Sequence, residues 1–122
     1  TDMRELMYQC VAGQEWFQDV PVMVVMAARF DRLFWKYRRH AKAWRVVHLD
    51  VGHLSQTMYL SAADLGLGAF VTAAINDHTI EQALGLQTLK EGAIVIVGFG
   101  PRLPNSTVLE LDNLTPVTLS PD

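Results

Sequence analysis

Apolar residues recur at two different spacings along this chain. Leu6, Met7, Cys10 and Val11 return every three to four positions, which predicts one apolar face of a helix over residues 3–18. Gly13 sits at a possible break in that helix, and Asp19 and Pro21 close it. Val20 to Ala28 form an unbroken apolar stretch, and its length and β-branched valines predict a strand buried on both faces. Helical spacing resumes over residues 46–66, where Leu54, Met58, Ala62 and Leu65 make one stripe. Asp50 suits the first turn of that helix and Gly66 its C-terminal cap. Ala69 to Ala74 predict a short extended segment. Asn76 or Asp77 then caps a helix through Leu84, with Gly85 just past its end. Gly92 to Phe99 predict a second buried strand. Four of the five prolines lie beyond Gly100, so residues 103–122 are expected to be an extended surface tail. Strongly apolar strands alternating with helices indicate a layered α/β or α+β fold over residues 1–102.

Composition narrows the possible functions. The chain has 122 residues, enough for one domain, and is 50% hydrophobic and 19% charged, which excludes a disordered chain. No apolar run approaches the ~20 residues that span a bilayer, so no membrane partner is expected. The net charge of −3 gives no global basic field, so no nucleic-acid partner is expected either. The single cysteine, Cys10, excludes an internal disulfide and a cysteine-rich zinc site. His48 and His53 lack the spacing of a metal motif, so no metal is expected. No cationic, apolar leader opens the chain, which points to a soluble cytoplasmic protein. The first residue is Thr1 rather than Met, which points to a processed or divided chain.

One segment breaks this acidic balance. Seven of the ten Lys and Arg residues fall between Arg29 and Arg45, interleaved with Phe30, Phe34, Trp35, Tyr37 and Trp44. Trp35-Lys36-Tyr37-Arg38-Arg39 reads in two ways. It can be a solvated helix end with cation–π contacts, or an anion or acid–base site, since Lys and Tyr both transfer protons. The two glycine pairs are not dinucleotide fingerprints. Val71 stands where GxGxxG after Gly66 needs glycine, and Pro101 and Pro104 prevent a helix directly after Gly98 and Gly100.

Three stretches taken together carry a resemblance. They are Trp35-Lys36-Tyr37 with its basic neighbours; the run from Leu49-Asp50-Val51-Gly52-His53 through Ser61-Ala62-Ala63-Asp64 to Leu65-Gly66-Leu67-Gly68; and Thr72-Ala73-Ala74-Ile75-Asn76-Asp77 with Glu81, Leu84-Gly85-Leu86 and Val97-Gly98-Phe99-Gly100. In this order they resemble the SagB-type branch of the nitroreductase superfamily, which includes FMN-dependent oxidases that turn azolines into azoles in peptides. The resemblance runs over residues 15–102.

The resemblance implies an α+β sandwich with helices packed on a mixed sheet, of which residues 1–102 are the C-terminal half, with FMN held at a dimer interface. The family's N-terminal arginine motif, which grips the FMN phosphate and ribityl chain, has no counterpart here. A missing N-terminal half, in the same or a second chain, is therefore an expected partner, along with a homodimer or hetero-complex in which the helix from Leu49 to Leu65 lies near the interface. Position by position, the family implies that Thr72, Ala73 and Ala74 pass along the flavin ring and that Arg102 contacts its phosphate. Ala73 and Ala74 also read simply as small packing residues. Lys36 and Tyr37 match the family's catalytic Lys-Tyr pair, and the implied substrate is a peptide-like azoline. The rival reading is a non-catalytic half-domain that serves as a dimerisation or scaffold partner.

Overall fold

The structure is a computed structural model and describes residues 2–17 and 19–102. The expected tail at 103–122 lies outside the described residues. The elements run α1 (Met3–Cys10), a 3-10 turn (Glu15–Phe17), β1 (Val22–Arg29), α2 (Phe30–Lys36), α3 (Lys42–Asp64), β2 (Leu67–Thr72), α4 (Asp77–Leu84) and β3 (Glu91–Pro101).

The described strands form one antiparallel sheet, where a mixed one was expected, in the order β1-β3-β2; the last strand lies in the middle, running opposite to both neighbours. Val24 pairs with Val97, and Thr72 with Ile96. The β1–β3 register shifts between Met26 and Ala27, where Met26 pairs with Val95 but Ala27 with Ala93. Ile94 is thus the extra residue of a bulge, and Ala93 and Ile96 come to share a face.

Helices cover both faces. α1, the 3-10 turn and α4 bring Cys10, Val11, Phe17 and Ile80 onto Ile96 as one buried cluster. By strand alternation Met26 and Val97 point the other way, toward the side that α3 covers with Ala43, Val47 and Ala62, all buried. The Gly98 and Gly100 pair has a packing cause. A Cβ on Gly98 would sit 2.9 Å from the Phe17 ring and 3.0 Å from Val20, and one on Gly100 would sit 3.0 Å from Pro21.

Several boundaries differ from expectation. α1 is capped by the Asp2 side chain, which accepts from the Arg4 N–H at 3.0 Å, but it stops at Cys10 instead of continuing to residue 18. Ala12 (φ 52°) and Gly13 (φ 76°) reverse the chain there and let Phe17 fold back into the core. β1 is an edge strand, so Val22 and Ala27 are exposed and the expectation of burial on both faces fails. α3 begins at Lys42, which puts Asp50 beyond the first turn. No side chain caps this start; burial of Ala43 and stacking of Trp44 on Phe30 secure it instead. The expected stripe is only partly buried: Ala62 faces the core and Met58 is half-buried, but Leu54 is exposed and Leu65 is 72% exposed. Gly66 (φ 69°) and Gly85 (φ 65°) end α3 and α4 as expected, and the Asn76 side chain caps α4 by accepting from the Thr79 N–H.

Cys10 yields a direct check. Burial raises its thiol pKa above the ordinary value of 9.0. A raised folded-state pKa stabilises the fold below pH 9, and that contribution is lost as pH climbs through the folded value. Thiol reagents at neutral pH are expected to leave Cys10 unlabelled until denaturant unfolds the chain. Rapid labelling of the native protein would contradict its burial.

Candidate functional site

α2 is anchored by its first residue. The Phe30 N–H donates to the Lys90 carbonyl at 2.8 Å. Its ring stacks on Phe34 and Trp44 at 6.0 and 5.2 Å between centroids, and lies where a Cβ on Gly92 would be only 3.1 Å away. Trp44 in turn packs on His48 at 4.7 Å. This aromatic row fixes the angle between α2 and α3.

Lys36 is the last residue of α2, and Tyr37 caps it with φ −107° and ψ 24°. The Tyr37 N–H donates to the Leu33 carbonyl at 2.9 Å, and the Tyr37 carbonyl accepts from the His40 N–H at 2.8 Å. Adjacent side chains on a continuing helix would diverge by about 100°. Here the helix ends between them, and Lys36 Nζ lies 5.3 Å from the Tyr37 ring centroid. The Arg38 guanidinium stands 6.0 Å from the Trp35 ring. Residues Trp35 to His40 line an open cleft of about 460 Å³. A lysine acts as a base only when neutral, which calls for a dry surrounding. The described residues leave Lys36 exposed and Tyr37 half-buried, so they do not themselves supply it.

The Thr72-Ala73-Ala74 segment is held by a residue that sequence reasoning missed. Gln14 Nε2 donates to the Ala74 carbonyl at 2.6 Å and to the Val11 carbonyl at 2.7 Å, while its Oε1 accepts from the Thr72 hydroxyl at 3.1 Å. The Thr72 Oγ1 also accepts from the Ala74 N–H at 3.1 Å. Gln14 is sixty positions from Ala74 in sequence and follows a glycine, so no local spacing marks it. Gln14→Ala removes all three Gln14 bonds. It is expected to lower stability by about 1–3 kcal/mol, read as a lower urea midpoint with an unchanged slope.

These bonds decide which backbone donors are open. The Val71 N–H donates to the Tyr59 hydroxyl at 2.9 Å rather than to β3, so this side of β2 faces the sheet's outer edge. Alternation carried on to Ala73 turns its N–H to the same edge. The Ala74 N–H is already taken by Thr72. Ala73 and Ala74 are exposed and small. A flat edge with two small side chains and one outward donor fits the rim of a flavin ring.

The candidate residues do not all converge. Ala73 and Ala74 follow Thr72 toward the end of the sheet where β3 begins and Phe30 sits on Gly92. Lys36-Tyr37 closes the helix that starts at this same end of the sheet with Phe30. The two segments lie over different faces, with α2 packed on α3 and Gln14 packed with the α1 side. Arg102 is exposed at the other end, just past β3 and six positions beyond Ile96, or about 20 Å along the strand direction. Among the described residues no group of three His, Cys, Asp or Glu side chains could hold a metal ion, and no helix is long and apolar enough to cross a membrane.

Known proteins share this fold. A protein of Methanocaldococcus jannaschii described as a nitroreductase, MJ1384, is 31% identical over 83 residues, 68% of this chain and 39% of the relative. A nitroreductase crystal structure from Anabaena variabilis superposes with a TM-score of 0.72 at 26% identity, over 84% of this chain and 20% of that one. The Escherichia coli microcin synthetase McbBCD complex with truncated pro-MccB17 bound has the same fold, with a TM-score of 0.74 at 20% identity, over 84% of this chain and 38% of its counterpart. The chain thus spans well under half the length of these relatives. Since the Nitroreductase family model matches residues 3–101, most of the sequence, this chain belongs to the nitroreductase family.

Proposed function

We propose that this chain is the C-terminal part of an FMN-dependent oxidoreductase that dehydrogenates a peptide-like substrate, converting an azoline ring to an azole. The observation that carries the reading is the meeting of Lys36 and Tyr37 where α2 ends, with Lys36 Nζ 5.3 Å from the Tyr37 ring centroid. Aromatising an azoline removes a proton from one ring carbon and a hydride from its neighbour. FMN, when bound, supplies the acceptor for that hydride. Lys36, once neutral, takes the proton on Nζ and becomes an ammonium, while the electron pair of the broken C–H bond goes into the new ring double bond. In this reading the Tyr37 hydroxyl would hydrogen-bond a ring heteroatom and orient it. The Ala73 N–H would meet the polar rim of the flavin ring, with Gln14 holding that backbone in position. The likeness to a complex with a bound pro-peptide supports a peptide-like substrate.

The assembly is part of this reading. FMN binding is proposed to need a further protein segment, in the same or a second chain, and dimerisation through the exposed side of α3. The chain combined with that segment is expected to show the visible absorbance of oxidised flavin and to bleach on addition of an azoline peptide. A colourless complete assembly that ignores added FMN would overturn the enzyme reading.

A second reading keeps the fold and drops the chemistry. Only one of the backbone donors at Ala73 and Ala74 is open, and Lys36 is exposed. Both fit a half-domain that serves as a scaffold for another chain. It predicts a stable complex without flavin.

A further inference from the structure

We propose that α2, the turn after it and the first two turns of α3 form a docking surface for an acidic peptide segment that also carries aromatic or aliphatic side chains. The proposal deepens the reading above, since it names the substrate class served at Lys36 and Tyr37.

Charge is the first argument. Residues 29–45 hold seven of the ten cations and one of the thirteen acids. Among the described residues, Arg29 pairs with Glu91, and none of Arg32, Lys36, Arg38, Arg39, Lys42 and Arg45 is in an ion pair. Lys42, Arg45 and Leu49 recur at helical spacing and share one side of α3. Unpaired cations this close together repel one another, and an anionic partner relieves the repulsion.

Apolar surface is the second argument. Trp35 is 73% exposed and Trp44 54% exposed, and Phe34 is exposed as well. Arg38 already lies by the Trp35 ring, which leaves its planar fork free for a carboxylate. Large exposed rings beside cations suit a ligand with both side-chain types, as peptides have and inorganic anions lack. The open cleft of about 460 Å³ at Trp35–His40 is of side-chain scale.

A nucleic acid fits less well. The rest of the chain holds twelve acids and three cations. Over a Debye length of about 8 Å the basic surface attracts, but a long polyanion leaving it meets an acidic body. A short peptide stays within the attractive region.

The test measures binding, without flavin or turnover. The full chain, in the assembly in which it purifies, is titrated with dye-labelled glutamate–phenylalanine peptide, its glutamine–phenylalanine counterpart and a single-stranded oligonucleotide. Fluorescence anisotropy is read at low and high salt. The glutamate peptide is expected to bind about tenfold or more tighter than the glutamine peptide, with the gap closing at high salt. Arg39→Gln/Lys42→Gln/Arg45→Gln is expected to abolish the preference, and Arg39→Gln alone to reduce it. Equal binding of the two peptides, no binding of either, tighter binding of the oligonucleotide, or a folded triple variant with unchanged preference each overturns the proposal. The comparison of peptides on the unaltered chain needs no variant to fold. In a separate experiment on the flavin-loaded assembly, an acidic peptide carrying an azoline that binds without reducing the flavin would overturn the catalytic reading alone. Turnover indifferent to peptide charge would overturn the docking surface alone.

Discussion

Lys36→Ala is expected to slow substrate-driven flavin reduction in the complete assembly by about 10²–10⁴-fold, the usual contribution of a positioned general base. The nearby cations cannot substitute, because Arg38 and Arg39 carry guanidinium groups that stay protonated. Lys36 is exposed and makes no hydrogen bond among the described residues, so truncation removes little packing. The flavin spectrum and the unfolding midpoint should therefore stay at parental values. Tyr37→Phe retains the ring that Lys36 lies against and deletes only the hydroxyl, which separates proton chemistry from the cation–π contact. Stopped-flow reduction by substrate, at saturating and sub-saturating concentration, places each loss on binding or on chemistry. Parental rates in both variants would leave Trp35–Arg39 as a surface patch and remove the catalytic assignment.

Phe17→Ala carries the largest expected loss of stability, about 3–5 kcal/mol. Phe17 is fully buried, meets Phe70 edge-on at 5.2 Å and lies directly over Gly98. Its removal leaves a ring-sized void between the sheet and the α1 side, in a domain class whose total stability is about 5–15 kcal/mol. Gly98→Ala approaches the same contact from the other side. Its methyl group would stand 2.9 Å from the Phe17 ring, and overpacking of this kind costs about 1–3 kcal/mol. The two sites touch, so their effects should not add. Phe17→Leu combined with Gly98→Ala should lose less than the sum of the singles, as measured by urea unfolding. Additive losses would mean that the contact is not the reason for glycine at 98.

The order of helices and strands was legible because its signals are local. Asn76 capping α4, the αL glycines at 66 and 85, and the apolar run of β3 each act within a turn or a strand. Misreadings came where the deciding partner is distant. α3 is apolar around much of its circumference, with Leu49, Leu54, Leu60 and Leu65 all exposed. Periodicity alone could not choose the face that the sheet selects. Ala12 at positive φ was invisible, because alanine carries no signal for it. In the candidate site, Lys36 and Tyr37 stood out as neighbours in sequence, and the helix end that lets them meet depends on Phe30 docking at Gly92. Gln14 could not be found, since its importance arises only when β2 folds back beside α1.

Among the described residues β1 and β2 do not pair with each other; each is zipped only to β3. The consequence concerns time. While a ribosome is still adding residues before Glu91, neither outer strand has a neighbour in this sheet. At about 5–20 residues per second, Val22–Arg29 then wait several seconds for their partner. Throughout that interval Met26 and Phe17 lack the platform they will be buried against, and the strands offer bare edges to other chains. Helices α1 to α4 can form early, and α2 can pack on α3, but the central strand they cover is not yet there. Final assembly must join positions far apart in the chain, which puts it in the slow range of milliseconds to seconds. Aggregation in the cell should therefore track the rate of synthesis, and a holding chaperone acting before release should raise the folded yield more than any refolding treatment afterwards.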